Sequence, residues 1–170
     1  KELLPSLAVG AVRPWQILAI TFTNKAAGEL RTRLETMLGA ADAGEITAST
    51  FHSACVRILR RDAERLGYPK SFTIYDSDDS LRAMKEVYKQ YNIDDKFLPQ
   101  KAALSAIGRL KDQMVGPSQA VAAAGGDHRA QLVSTAYEGY AKRLASAGAM
   151  DFDDLIYQTV LLLQDHKDVL

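Results

Sequence analysis

The stretch Ile17-Leu-Ala-Ile-Thr-Phe-Thr-Asn-Lys-Ala-Ala-Gly-Glu-Leu30 decides how this chain folds. Its first four residues are apolar, and a short apolar run is typical of a β-strand buried on both faces. Polar residues begin at Thr21, and the segment from Lys25 to Leu34 then has the pattern of a helix. A strand that continues through a short loop into a helix is half of a parallel α/β unit. The sequence therefore predicts a loop at the carboxyl end of a strand, where open α/β sheets bind ligands.

The same order of elements recurs further along the chain. Residues 45–50 predict a second short strand, which ends in Thr50-Phe-His-Ser53, and a helix is predicted from about Ala54 to Leu66. Both loops combine hydroxyl groups with an aromatic ring, and each precedes a helix whose first N–H groups lack partners within the helix. These groups suit a phosphate backbone and a stacked base.

The strand pattern disappears after residue 75. Residues 71–75 predict a third strand, and capping residues then predict a helix from about Ser77 to Tyr91. Further helical patterns lie at about 98–114, 117–124, 128–147 and 152–165, and residues 1–10 predict the end of a helix that stops at Gly10. The sequence thus predicts a mostly helical α/β chain with a partial core at 1–75, an inserted helical lobe at 76–148 and a return to the core at 149–170.

Three motifs resemble signatures of the UvrD/Rep-like superfamily 1 DNA helicases. They are Thr21-Phe-Thr-Asn-Lys-Ala-Ala27, Thr50-Phe-His-Ser53 and Met150-Asp-Phe-Asp-Asp-Leu-Ile156. The first two are similar to motifs through which that family contacts DNA, and the order and spacing of all three agree over nearly the whole chain. The resemblance implies a partial RecA-like parallel sheet, of the P-loop NTPase fold, with the inserted helical lobe that this family calls subdomain 1B.

The resemblance also implies a function. The whole protein would be a cytoplasmic, ATP- and Mg²⁺-dependent helicase or translocase that moves 3′ to 5′ on single-stranded DNA in repair or replication. Its expected partners are single-stranded DNA and junctions of single- and double-stranded DNA, with self-association through an incomplete sheet as a further expectation. The expected DNA contacts are nine residues: Thr21, Phe22, Thr23, Asn24, Lys25, Thr50, Phe51, His52 and Ser53.

Two motifs of nucleotide-dependent enzymes do not occur in this sequence. There is no Gly-x-x-x-x-Gly-Lys-Ser/Thr phosphate loop and no Asp-Glu-x-x-Asp run. We therefore expect no catalytic residue, cofactor site or metal site in this chain itself. In the family the two motifs flank a segment of this kind, so the chain is expected to be a piece of a longer protein, which agrees with its start at Lys1.

Composition sets further bounds. Formal net charge is zero, although basic residues outnumber acidic ones in residues 1–75, where the two proposed DNA motifs lie. No run of apolar residues is long enough to predict a membrane span. The single Cys55 excludes an internal disulfide, suits a reducing compartment, and is predicted to lie on a buried helix face.

Several of these residues also have purely structural interpretations. Thr21, Thr23 and Asn24 are suited to capping the following helix, and Lys25 to a solvated first turn. Phe51 suits a hydrophobic core as well as a stacking surface.

The third motif and the histidines likewise favour structural roles. Asp151 is predicted to be an N-cap, with Phe152, Leu155, Ile156 and Val160 facing the core. No ligand spacing connects the histidines into a zinc site, and His52 is either a structural residue or a DNA contact.

Two other functional classes stay open at this point. One is a non-catalytic nucleic-acid-binding or protein-interaction module on a helicase-like scaffold. The other is an α/β protein that binds a phosphorylated ligand and matches the motifs by chance.

Overall fold

The computed structural model describes residues 12–169, so the helix end predicted at residues 1–10 lies outside the described part of the chain. The chain divides into two compact units, residues 1–54 and 55–170. The elements of the first unit are β1 (Leu18–Thr21), α1 (Asn24–Leu38), α2 (Ala40–Glu45), β2 (Thr47–Thr50) and the start of α3 (Phe51–Asp62). Those of the second are the rest of α3, β3 (Thr73–Ile74), α4 (Ser77–Tyr91), α5 (Gln100–Asp112), α6 (Pro117–Ala123), α7 (His128–Ser146), β4 (Ala149–Met150) and α8 (Phe152–Asp165).

The first unit contains a parallel strand pair. β1 and β2 align from Leu18 opposite Thr47 to Thr21 opposite Thr50, as the repeated strand–loop–helix pattern predicts. The prediction that β1 is buried on both faces is wrong, because Leu18 is 52% exposed and Ile20 36% exposed. A strand is buried on both faces only where packing layers cover both, and the described residues of this unit do not supply two such layers.

The glycine-containing segment between the first helix and the second strand is more regular than its sequence indicates. Gly39 adopts a positive φ of 85° and ends α1, which is the kind of position where glycine carries little steric cost. The next residues form the short helix α2, although Gly39 and Gly44 predict a break in the chain between the first helix and the second strand. Three alanines lie within α2, and their high helix propensity accounts for the difference.

The second unit is organised around two hydrophobic clusters and a short strand pair. β3 and β4 are parallel, with Thr73 opposite Ala149 and Ile74 opposite Met150. Residues 76–148 are described throughout and contain four α-helices and no strand, as predicted. One cluster is formed mainly by α4, α5 and α7, and the other by α3, β4 and α8 with Phe72. The fold is therefore a partial RecA-like α/β arrangement that is mostly helical.

The burial of single residues agrees only in part with the burial predicted from the sequence. Cys55 is buried, as predicted. On α8, Leu155 is 1% exposed, but Phe152 and Ile156 are 57% and 40% exposed, so their predicted place in the core is wrong. A helix packed on one side buries a single stripe, and these two residues lie off that stripe. None of the helices within residues 12–169 has both the length and the apolar character that crossing a membrane requires.

Candidate nucleic-acid interface

The parallel register of β1 and β2 brings the two predicted loops to one edge of the strand pair. Thr21 and Thr50, the last residues of the two strands, are partners in the register. Phe22 and Phe51 each follow one residue later, and their ring centroids are 5.2 Å apart with an interplanar angle of 43°. Two motifs that are 29 positions apart in the sequence therefore present their aromatic rings side by side.

The first loop combines a helix cap with exposed side chains. The hydroxyl of Thr21 donates to the carbonyl of Thr23 at 3.0 Å, and the Thr23 hydroxyl accepts from the Ala26 N–H at 3.1 Å. Thr23 is thus the N-cap of α1, in agreement with the capping interpretation. Phe22 is 88% exposed, and Asn24 and Lys25 are exposed beside it. The hydroxyls shape the loop, while the ring, the amide and the ammonium group face solvent.

The second loop is more enclosed. Thr50 is buried, and its Oγ1 lies 2.9 Å from the Ser53 Oγ and accepts from the Ser53 N–H at 3.3 Å. Its hydroxyl therefore stabilises the first turn of α3. Phe51 is 41% exposed, His52 is half-buried and Ser53 is exposed. Of the four residues in this motif, Ser53 and Phe51 are the more accessible to a ligand.

Arg31 connects the helix that follows the first loop to the strand that precedes the second loop. This role was not predicted from the sequence. The Arg31 Nε donates to the carbonyl of Ala48 at 2.9 Å, which joins α1 to β2. Since α1 follows the first loop and β2 precedes the second, this bond helps to fix one loop relative to the other. No sequence signal distinguishes Arg31 from the other charged residues of α1, because its partner is a backbone atom on another element.

The arrangement suits a single-stranded nucleic acid. An exposed aromatic ring can stack against any base, because every base has a π-face. Beside it, α1 and α3 begin at the same edge, and helix N-termini favour anionic groups such as phosphate. Lys25 adds a positive charge to this edge. Stacking and phosphate binding together are the two elements of sequence-tolerant single-strand recognition.

The third motif lies in the second unit and has a structural role. Asp151 is the N-cap of α8, as predicted, and accepts from the Asp154 N–H at 2.8 Å. Lys111 Nζ lies 2.9 Å from Asp151 Oδ2 and 2.8 Å from Asp154 Oδ1. All three side chains are at most 11% exposed. Among residues 12–169 there is no group of three His, Cys, Asp or Glu side chains placed to hold a metal ion.

In the cluster of Lys111, Asp151 and Asp154, burial and the attraction between opposite charges shift the pKa values in opposite directions. Burial raises the pKa of Asp154 to about 6, with the charge of Lys111 opposing the shift and that of Asp151 adding to it. For Lys111, burial lowers the pKa, but the two carboxylates outweigh burial and the net shift is upward. Burial also raises the pKa of the Tyr140 hydroxyl, and the charge of Asp151 adds to the shift.

The sequence contains a signal for the burial of Lys111, although it does not show which residues pair with it. Ala103 and Ile107 are buried on α5, and Lys111 continues the same stripe at a spacing of four residues. A lysine at a core position is rarely buried unless it is paired with acidic groups. That periodicity indicates a buried cation that requires carboxylate partners elsewhere in the chain.

Comparison with known proteins identifies the family. Residues 2–170 match the model of the UvrD/REP helicase N-terminal domain. The chain belongs to this family. It is 46% identical over 153 residues to the ATP-dependent DNA helicase PcrA of Staphylococcus epidermidis, which is 90% of this chain and 21% of that protein. It is 45% identical over 160 residues to PcrA of Staphylococcus aureus, which is 94% of this chain and 22% of that protein.

The match confirms the resemblance that the three motifs indicated. It covers both units, so the strand–loop–helix repeat and the helical stretch both belong to the family's N-terminal domain. The chain spans about a fifth of the length of the curated relatives it matches.

Proposed function

We propose that this chain is the part of an ATP-dependent 3′–5′ DNA helicase or translocase that supplies contacts to single-stranded DNA. The observation that carries the proposal is the pairing of Phe22 and Phe51 at the carboxyl ends of two parallel strands, beside the N-termini of two helices. Family membership and the names of the PcrA relatives support the same function.

The nine residues divide into three groups by exposure and hydrogen bonding. Phe22, Asn24, Lys25 and Ser53 are exposed and are proposed to contact DNA directly, the ring by stacking and the polar groups at phosphates. Phe51 is less exposed than Phe22, and the half-buried His52 is proposed to reach DNA through one hydrogen bond. Thr21, Thr23 and Thr50 hold the loops through hydroxyl hydrogen bonds, so their contribution to binding is to the shape of the surface.

We further propose a division of the chain into core and insert. Residues 1–75 and 149–170 would belong to the RecA-like core, and residues 76–148 would form the helical insert. The parallel pairing of β3 with β4 supports this division, because it brings together the residues on either side of the helical stretch.

ATP and Mg²⁺ are proposed as cofactors of the whole protein. The side chains present here do not fit them: the sequence contains no phosphate loop, and Asp151 and Asp154 are paired with Lys111. The contribution of this chain is accordingly proposed to be the DNA surface and not the hydrolytic site.

Fluorescence anisotropy with labelled oligo-dT tests the DNA surface. Phe22→Ala is expected to weaken binding by about 1–3 kcal/mol, because it removes the exposed stacking ring. His52→Ala is expected to cost less, on the order of 1 kcal/mol for one lost hydrogen bond. Affinity should fall with salt, with a slope of roughly −0.7 per phosphate contacted.

Phe97→Ala is the matched control. Phe97 is also an exposed phenylalanine, at 66%, but it lies in the second unit outside both loops. We expect its replacement to leave the affinity for oligo-dT unchanged. If Phe22→Ala and His52→Ala both bind like the parent chain while circular dichroism shows them folded, these loops are not the DNA surface.

A further inference from the structure

The two aromatic rings at the strand ends are unequal in exposure. Phe22 is 88% exposed and Phe51 is 41% exposed, although they occupy equivalent places after paired strand residues. Phe51 is the first residue of α3, and the Thr50–Ser53 hydrogen bonds fix the turn that carries it. Phe51 is therefore the anchored ring of the pair, and Phe22 is the ring presented to solvent.

The geometry leaves no room for a base between the rings. A base stacked on both would require parallel rings about 7 Å apart, twice the stacking distance of nucleic-acid bases. The observed centroids are 5.2 Å apart and the planes are tilted by 43°. This is an ordinary aromatic contact, within the range in which such pairs attract. A base can therefore stack on the outer face of Phe22, while the contact with Phe51 limits the directions in which that ring can point.

We propose that Phe51 is a positioning residue for base stacking and acts through Phe22. An exposed phenylalanine without a neighbouring ring samples several rotamers, and ordering it on binding costs conformational entropy. The contact with Phe51 orders Phe22 before DNA arrives. This inference rests on the proposed function and adds a division of labour within it: one ring binds the base, and the other holds the first ring in place.

A double-mutant cycle on oligo-dT affinity tests the inference with the whole chain. The variants are Phe22→Ala, Phe51→Ala, the double replacement and Phe51→Tyr, which keeps the ring. Phe51→Ala should weaken binding about two- to tenfold, the range for one aromatic pair. It should have no further effect once Phe22 is already alanine, and Phe51→Tyr should bind like the parent chain. Phe51→Leu, which keeps apolar volume without a ring, replaces Phe51→Ala in the cycle if the alanine variant does not fold.

The possible outcomes separate this inference from the proposed function. If Phe22→Ala weakens binding and Phe51→Ala does not, the positioning role is wrong and the DNA surface stands. If Phe51→Ala weakens binding equally with and without the Phe22 ring, Phe51 contacts DNA itself, and the positioning role is again wrong. If Phe22→Ala binds like the parent chain, the positioning role is wrong, and the assignment of the DNA surface fails with it if His52→Ala also binds like the parent chain.

Discussion

At the scale of single residues, burial changes the acid–base chemistry of Asp154. Its pKa of about 6 lies above the ordinary value of 3.8, chiefly because burial disfavours the charged form. The folded chain therefore binds this proton more tightly than the unfolded chain does. The stabilisation is fully present below the unfolded pKa and is lost as pH rises through the folded pKa, that is, between about pH 4 and about pH 6.

The pH dependence of stability tests this interpretation of Asp154. Relative to Asp154→Asn, which cannot titrate there, the parent chain should lose unfolding free energy as pH rises from about 4 to about 7. Urea unfolding of both chains across this range measures the difference. Asp165→Asn is a suitable control, because Asp165 lies on the same helix but is exposed. A constant difference between the parent chain and Asp154→Asn at all pH values would contradict the account.

The structural role of a residue was predictable from the sequence where that role depends on residues close to it in the chain. The cap at Asp151 depends on a side chain and an N–H group three residues away, and the sequence contains both. Lys111 and Arg31 were missed because their partners are distant: Asp151 is 40 positions from Lys111, and Ala48 is 17 positions from Arg31. Such contacts exist only once the elements pack together.

At the scale of elements, Lys111 joins α5 to the first turn of α8 through two carboxylates. Lys111→Met would leave both carboxylates buried without their cation. Removing one partner from a buried ion pair typically costs about 3–5 kcal/mol, and we expect a loss of unfolding free energy of this size. Urea or thermal unfolding measures it.

The control for this prediction is a lysine on the same helix. Lys101 is exposed on α5, so Lys101→Met should change the unfolding free energy by no more than about 0.5 kcal/mol. If the two variants have the same unfolding free energy, the ion pairs of Lys111 do not stabilise the fold. The structural role assigned to this buried cluster is then wrong.

Whether a segment forms a helix or a strand was easier to predict from the sequence than the burial of its side chains. The apolar run at Ile17–Ile20 predicted a strand, and β1 forms there, displaced by one residue to Leu18–Thr21. Its exposure was not predictable, because burial depends on what packs against a strand and not on the strand's own sequence. The same limit applies to α8, where the sequence placed Phe152 in the core and the structure leaves it 57% exposed.

At the scale of the whole molecule, we propose that this chain contributes DNA contacts and not nucleotide hydrolysis. Phosphoryl transfer depends on positioned phosphates and on charge neutralisation by a bound metal ion. This sequence contains neither the phosphate loop nor the acidic run that supply them. We therefore expect the purified chain to show no ATP turnover above a mock preparation, with or without oligo-dT. DNA-stimulated turnover that copurifies with the chain would contradict this expectation.

Whether Phe22 stacks on DNA is tested most directly by photo-crosslinking of the chain to an oligonucleotide that carries 5-iododeoxyuridine, followed by peptide mapping. Under long-wavelength ultraviolet light this base forms bonds with the aromatic ring on which it stacks. We predict a principal adduct on Phe22, with any lesser adducts confined to residues 21–25 and 50–53. Phe22→Ala should abolish the principal adduct, and Phe97→Ala should leave it unchanged. Adducts formed only within residues 76–148, or a Phe22 adduct no stronger than that of Phe97, would contradict the account.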